Sequence, residues 1–333
     1  MEIEGISNIS FHIGKTFIWR FISSFMKLAN FIESQQLDQE LIQNLFKKAD
    51  ELMAGKFKGD ELKGKVLCTL FYEPSTRTRL SFESAMLKLG GSVISTENAK
   101  EFSSTIKGES IEDTARIVSA YSDCVVIRHY EEGTAAKAAA VSNIPVVNAG
   151  DGKGQHPSQA LLDLYTIYKE CGRLTNIRIA MVGDLASGRT VRSLCYLLGK
   201  YNENGIEIVF VSPDNLGIGN DIKEYLTRHG VKYIEETDLN KILPMVDFVY
   251  MTRIQKERIA LEDYQKAKGK YVINMNNIEL LKYNSRIMHP LPHVAEIDLS
   301  IEVEQKDPRV AYFRQARNGL YIRMALLLHL LSD

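Results

Sequence analysis

The 333-residue chain sets 41 Lys and Arg against 42 Asp and Glu, for a formal net charge of −1, with 45% hydrophobic and 25% charged residues. That balance excludes a disordered chain, a collagen-like repeat and a bare coiled coil, and the lack of a basic excess argues against a nucleic-acid partner. The length suits two domains of ordinary size, and no apolar run reaches the ~20 residues that span a bilayer. In chain order, the aromatic-rich stretch Phe17–Ile32 comes first. It places Ile18, Phe21, Ile22, Phe25, Ala29 and Ile32 at helical spacing, which predicts an amphipathic helix packed on the body or on a partner chain. A membrane-surface helix is the sharper alternative. Arg20 and Lys27 interrupt it and no small-residue cleavage site follows, so it does not read as a signal peptide.

Beyond it, apolar runs of strand length alternate with helical patterns. Lys65–Phe71 reads as a buried strand. A helix follows with Leu80, Phe82, Ala85, Met86 and Leu89 on one face, stopping at Gly90-Gly91. Ser92–Ser95, Cys124–Arg128 and Pro145–Asn148 read as strands, with helices at Ser110–Tyr121 and Ala135–Val141 between them. His156–Glu170 is a long helix. Strands at Arg178–Val182, Glu207–Val211, Phe248–Met251 and Tyr271–Ile273 and helices at Thr190–Leu198, Ile222–His229 and Tyr312–Leu331 complete the pattern. This alternation predicts an α/β chain with two doubly wound parallel sheets, each covered by helices on both faces and joined through the helix after His156. Ligands of such sheets bind at the carboxyl ends of the strands.

The cysteines, Cys68, Cys124, Cys171 and Cys195, are widely spaced and lie among apolar residues, with no metal-binding spacing. They read as reduced core thiols, and a cytoplasmic location is expected.

The chemistry concentrates in Phe71-Tyr-Glu-Pro-Ser75-Thr76-Arg77-Thr78-Arg79, at a strand-to-helix junction. Three hydroxyls and two arginines around free N–H groups at a helix start make an anion site suited to phosphate. A plain cap would need one hydroxyl. Arg128 ends a strand, His156 opens a helix, and Arg189 follows a strand and the Gly188 turn. Singly, each also fits a salt-bridge or core role. Val182–Gly188 lacks the dinucleotide glycine spacing and reads as a tight turn.

Taken together these motifs resemble the aspartate and ornithine carbamoyltransferases. The resemblance runs in order through Ser75–Arg79, Lys107-Gly-Glu-Ser110, Ile127-Arg128-His129, Asn148–Gly152, His156-Pro-Ser-Gln159, Val182–Leu185, Gly188-Arg189-Thr190 and Met288–Pro292. It covers roughly residues 35 to 333.

It implies a carbamoyl-phosphate-binding domain over 34–157 plus 311–333, with the C-terminal helix packed back on it, an aspartate-binding domain over 158–310, and an extension over 1–33. It implies that Ser75, Thr76, Arg77, Thr78, Arg128, His156, Gln159 and Leu291 receive carbamoyl phosphate. Ser103 and Lys107 would reach this site from a neighbouring subunit of a homotrimer. The acceptor would meet Lys107, Arg189, Arg253, Gln255 and Pro292, and Thr78, Arg128, His156 and Lys107 would carry the catalysis.

Tyr250–Arg258 resembles the aspartate-binding segment, because Arg253 can grip a second carboxylate. Pro290 stands where ornithine enzymes usually carry cysteine. His293 and Ala295 depart from the arginine and acidic residue usual after that segment. The resemblance implies no metal or cofactor and leaves room for a regulatory chain. The alternatives are transfer to another amino acid, such as ornithine, or an inactive scaffold homologue.

Overall fold

The computed structural model describes residues 28–102, 104–254 and 269–332. Most of the amphipathic stretch read at the N-terminus lies outside them. Its last residues are extended rather than helical: the Phe31 N–H donates to the Val146 carbonyl at 2.8 Å, and the Phe31 carbonyl accepts from the Asn148 N–H at 2.8 Å. Apolar spacing alone could not foresee that this segment would add itself to a sheet.

Helix α1 (Gln39–Met53) starts at Asp38, whose side chain accepts from the Leu41 N–H, and buries Ile42, Leu45, Phe46, Ala49 and Leu52 on one face. The first sheet follows through β1 (Val66–Phe71), α2 (Thr76–Lys88), β2 (Ser92–Glu97), α3 (Ala99–Phe102), α4 (Ile111–Val118), β3 (Cys124–His129), α5 (Thr134–Val141) and β4 (Val146–Asp151). Its four strands are parallel, in the order β2-β1-β3-β4.

Helix α6 (Pro157–Cys171) leads to the second sheet, built from β5 (Arg178–Val182), α7 (Arg189–Leu198), β6 (Glu207–Val211), α8 (Asn220–Arg228), β7 (Lys232–Glu236), α9 (Leu239–Ile242) and β8 (Phe248–Met251). After β9 (Ile273–Asn274) come β10 (Arg286–Met288), β11 (Ile297–Asp298), α10 (Ile301–Lys306) and α11 (Tyr312–Leu331). The second sheet runs β10-β8-β5-β6-β7, and β9 pairs with β11 alone. These are two parallel α/β domains.

The central strands are buried almost continuously, as in β1, β3 and β5, because helices cover both faces of a parallel sheet. β7 escaped the sequence reading because it is an edge strand of Lys-Tyr-Ile-Glu-Glu, largely exposed. The short β10 and β11 and helix α1 were also not foreseen. The strand expected at Tyr271–Ile273 begins only at Ile273.

Every residue of α6 from Pro157 to Ile167 is buried. This helix touches β4, α7 and α11, so it is the spine between the two domains. Helix α11 packs on α1, α2 and α6, returning the C-terminus to the first domain as expected. Cys68, Cys124 and Cys195 are buried and all four cysteines are free. Burial pushes the Cys68 thiol up to about 12. Among the described residues no helix is long and apolar enough to cross a membrane.

Candidate active site

A cavity of about 780 Å³ lies where the carboxyl ends of the two sheets face each other. Its wall includes Ser75, Thr76, Arg77, Thr78, Arg128, His156, Gln159, Arg189, Arg253, Leu291 and Pro292. Eleven of the residues singled out in the sequence, scattered over more than 200 positions, thus meet at one place. Gln255 and Ser103 lie outside the described residues. Lys107 is exposed at the end of a short 3-10 helix, Ser104–Lys107, and does not line this cavity.

Helix α2 supplies the anion end. Ser75 is its N-cap residue, yet its hydroxyl makes no capping bond, and the first turn carries no acidic side chain. The free N–H groups and the positive helix end therefore face the cavity without internal neutralisation. Partial burial, and next the charge of Arg253, hold the Arg77 guanidinium below its ordinary value. The two cations therefore repel each other and favour an anion between them. Arg79, counted with Arg77 from the sequence, turns away. It binds Glu83 at 3.3 Å and Glu97 at 2.7 Å, so one arginine of the motif is structural.

At the end of β3, Arg128 donates from Nη1 to the Ala149 carbonyl at 3.2 Å and pairs through Nη2 with Glu73 Oε2 at 3.0 Å. From the opposite domain, Arg189 at the start of α7 donates to the Gly152 carbonyl at 2.9 Å and to the same Glu73 oxygen at 3.1 Å. Glu73 thus joins the two arginines across the cleft. It lies in the Tyr-Glu-Pro-Ser motif, but nothing in the spacing gave it this task. Gly150 makes room for both guanidiniums. A Cβ there would meet Arg128 Nη1 at 3.0 Å and Arg189 Cζ at 3.1 Å.

His156 is the N-cap residue of α6, and its backbone N–H donates to Ser193 Oγ at 2.9 Å; Ser193 Oγ in turn donates to the Arg189 carbonyl at 2.8 Å. Burial, with the positive charges of Arg128, Arg189 and Arg323, holds His156 well below the ordinary imidazole value. It is a neutral ring at physiological pH, able to donate one N–H.

The loop after β10 is set by His289. Its Nδ1 accepts from the Leu291 N–H at 2.8 Å, so its Nε2–H donates to Glu296 at 2.9 Å. Leu291 takes a left-handed φ of 56° there. His293, the departure from the usual arginine, pairs with Glu304 at 3.2 Å and lies edge-on to the Tyr312 ring. The carboxylate missing at Ala295 is thus replaced by one on α10. The fold and this cavity define a two-domain α/β protein with a cationic, anion-receiving cleft between its domains.

Comparison with known proteins carries this further. Residues 29–169 match the carbamoyl-P binding domain of the aspartate/ornithine carbamoyltransferases, and residues 175–330 match the Asp/Orn binding domain. A pea relative, aspartate carbamoyltransferase 1, is 54% identical over 306 residues, covering 90% of this chain and 78% of its own. The structure superposes on the catalytic subunit of Methanocaldococcus jannaschii aspartate transcarbamoylase with a TM-score of 0.83 at 45% identity, covering 92% of this chain and 99% of that one. A Trypanosoma cruzi aspartate transcarbamoylase in complex with N-(phosphonacetyl)-L-aspartic acid gives a TM-score of 0.85 at 38% identity, covering 92% and 97%. The chain belongs to the aspartate/ornithine carbamoyltransferase family.

One expectation is overturned. The pea relatives are chloroplastic, so the cytoplasmic assignment does not stand. It rested on buried thiols and on the lack of a membrane span, which report burial and hydropathy and cannot tell one aqueous compartment from another.

Proposed function

We propose that this chain transfers the carbamoyl group of carbamoyl phosphate to the amine of L-aspartate, giving N-carbamoyl-L-aspartate and phosphate. The observation that carries the reading is the single cavity in which Ser75–Thr78 of one domain face Arg189 and Arg253 of the other. Phosphate sits at the start of α2, bound by its N–H groups, by the hydroxyls of Ser75, Thr76 and Thr78, and by Arg77. Leu291 closes over the carbamoyl phosphate. Arg189 and Arg253, with Gln255, hold the two carboxylates of aspartate, beside Pro292.

The deprotonated amine attacks the carbonyl carbon, forming the C–N bond. Negative charge grows on the carbonyl oxygen, where Thr78, Arg128 and neutral His156 donate. The C–O bond to phosphate then breaks, and the leaving phosphate takes the amine proton. Fixing both substrates in one orientation supplies up to ~7–11 kcal/mol in favourable cases. No side-chain nucleophile is required.

Lys107 is exposed and away from its own chain's cavity, which supports a homotrimer in which Lys107 and Ser103 complete a neighbour's site. The division into 34–157 with 311–333 and 158–310 follows the two sheets. The pea relatives favour a plastid as the compartment, which fractionation of the native protein checks.

The test is transfer by the purified protein with L-aspartate and L-ornithine in parallel. Product with aspartate alone is expected. Product with ornithine, or with neither, refutes the reading.

A further inference from the structure

Behind the cavity wall lies a carboxylate that the reaction above does not use. Asp163 of α6 has no exposed surface and does not line the cavity. Its Oδ1 accepts from Gln159 Nε2 at 2.8 Å and from Gln315 Nε2 at 2.6 Å, and its Oδ2 accepts from the Tyr250 hydroxyl at 2.6 Å.

We propose that Asp163 is a positioning residue: it fixes the side-chain amide of Gln159 with its oxygen toward the substrate, so that this corner of the cavity accepts a carbamoyl N–H₂ and rejects a methyl group. The inference deepens the proposed function, taking Gln159 on the cavity wall as one of the residues that receive carbamoyl phosphate, and rests on it.

The orientation follows from donor and acceptor bookkeeping. The Oε1 of Gln315 accepts the His289 backbone N–H at 2.9 Å. A backbone N–H can only donate, so Gln315 must turn its Nε2 to Asp163. When ionised, as at pH 8, the Asp163 carboxylate offers only acceptors, so Gln159 must turn its Nε2 there too. The Oε1 of Gln159 is left for the cavity that Gln159 lines. Without Asp163 the amide could rotate and present either end.

The same carboxylate ties together three walls of the cavity. Gln159 belongs to α6. Tyr250 stands on β8, three residues before Arg253. Gln315 on α11 holds the backbone two residues before Leu291. Burial pushes Asp163 up to about 7 against the pull of these three donors and of the buried Arg323.

The test compares two inert probes that differ only at the group in question. Phosphonoacetamide carries the N–H₂, and acetonylphosphonate carries a methyl in its place. Calorimetric affinities are measured at pH 8 for the full-length wild type, Asp163→Ala, Asp163→Asn, Gln159→Leu and the Asp163→Ala/Gln159→Leu double variant. The wild type should prefer the amide. Asp163→Ala should lower that preference about fivefold to tenfold, the worth of one oriented hydrogen bond. Asp163→Asn can keep an oxygen toward both glutamines and should restore most of it. In the Gln159→Leu background, Asp163→Ala should change the preference no further.

Equal weakening of both probes by Asp163→Ala marks a merely structural role and overturns the proposal. Failure of the wild type to bind either probe would refute the underlying reading of the cavity instead, and the inference with it. If Asp163→Ala does not fold, neutron diffraction from wild-type crystals decides. Deuterons of Gln159 on the Asp163 side support the proposal, and deuterons on the cavity side overturn it.

Discussion

Replacing Gly150 by alanine tests the architecture of the cleft more directly than replacing any charged residue. Gly150 has φ +114°, and a Cβ there would lie 3.0 Å from Arg128 Nη1, 3.1 Å from Arg189 Cζ and 3.3 Å from Arg189 Nε. Two costs separate cleanly. The backbone strain of an L-residue in this region is ~1–3 kcal/mol. The crowding forces both guanidiniums outward by a few tenths of an ångström, and misplacement by ~1 Å is worth about 10² in rate.

We therefore expect Gly150→Ala to lose ~1–3 kcal/mol of stability and about tenfold in kcat/KM for aspartate, while phosphate binding at the start of α2 holds. Gly172, at the C-terminus of α6, is the control. It has φ +71° and nothing within 4 Å of a built Cβ, so Gly172→Ala should lose ~1–2 kcal/mol with kinetics unchanged. Chemical denaturation and steady-state kinetics on the three proteins decide it. Normal kinetics in folded Gly150→Ala, or an equal activity loss in Gly172→Ala, would refute the placement of the two arginines.

Arg189→Lys keeps the charge but loses the planar fork, and KM for aspartate should rise ~10-fold or more with carbamoyl phosphate affinity little changed; a matching loss for both substrates in initial-rate kinetics counts against the clamp. His156→Gln should lower kcat by ~10²–10³ as an oxyanion donor is displaced. His156 is held neutral, so the wild-type rate should show no His156-dependent step near pH ~6.5, and a step there that disappears in His156→Gln sinks that reading. The same lowered folded-state value fixes the sign of the stability change: the contribution of His156 is intact above ~6.5 and is lost as pH falls below it, because the unfolded chain binds the proton first. Denaturant titrations at several pH values, wild type against His156→Gln, read this out. Mixing Lys107→Gln with Arg77→Ala chains should restore part of the activity if sites are shared between subunits, and no recovery in demonstrably mixed trimers would exclude sharing.

Sequence alone determined the α/β alternation and the anion-binding start of α2, which are legible because they depend on local periodicity and on residue types beside a strand end. The other candidate residues that line the cavity were marked out by the ordered family motifs rather than by any local pattern. The tertiary structure decided the rest. Glu73 acquires its role only when Arg189 arrives from the other domain, and Arg79, identical in type to Arg77 two residues away, is drawn off by Glu83 and Glu97. Nothing in the sequence singles out Asp163. Only folding adds Tyr250 and Gln315, from two distant segments, to its helical neighbour Gln159. Helical spacing reaches neighbours four residues away, such as Glu83 and Gln159, whereas the distant partners of a buried charge are chosen by whatever the fold places beside it, and no spacing in the sequence records that choice.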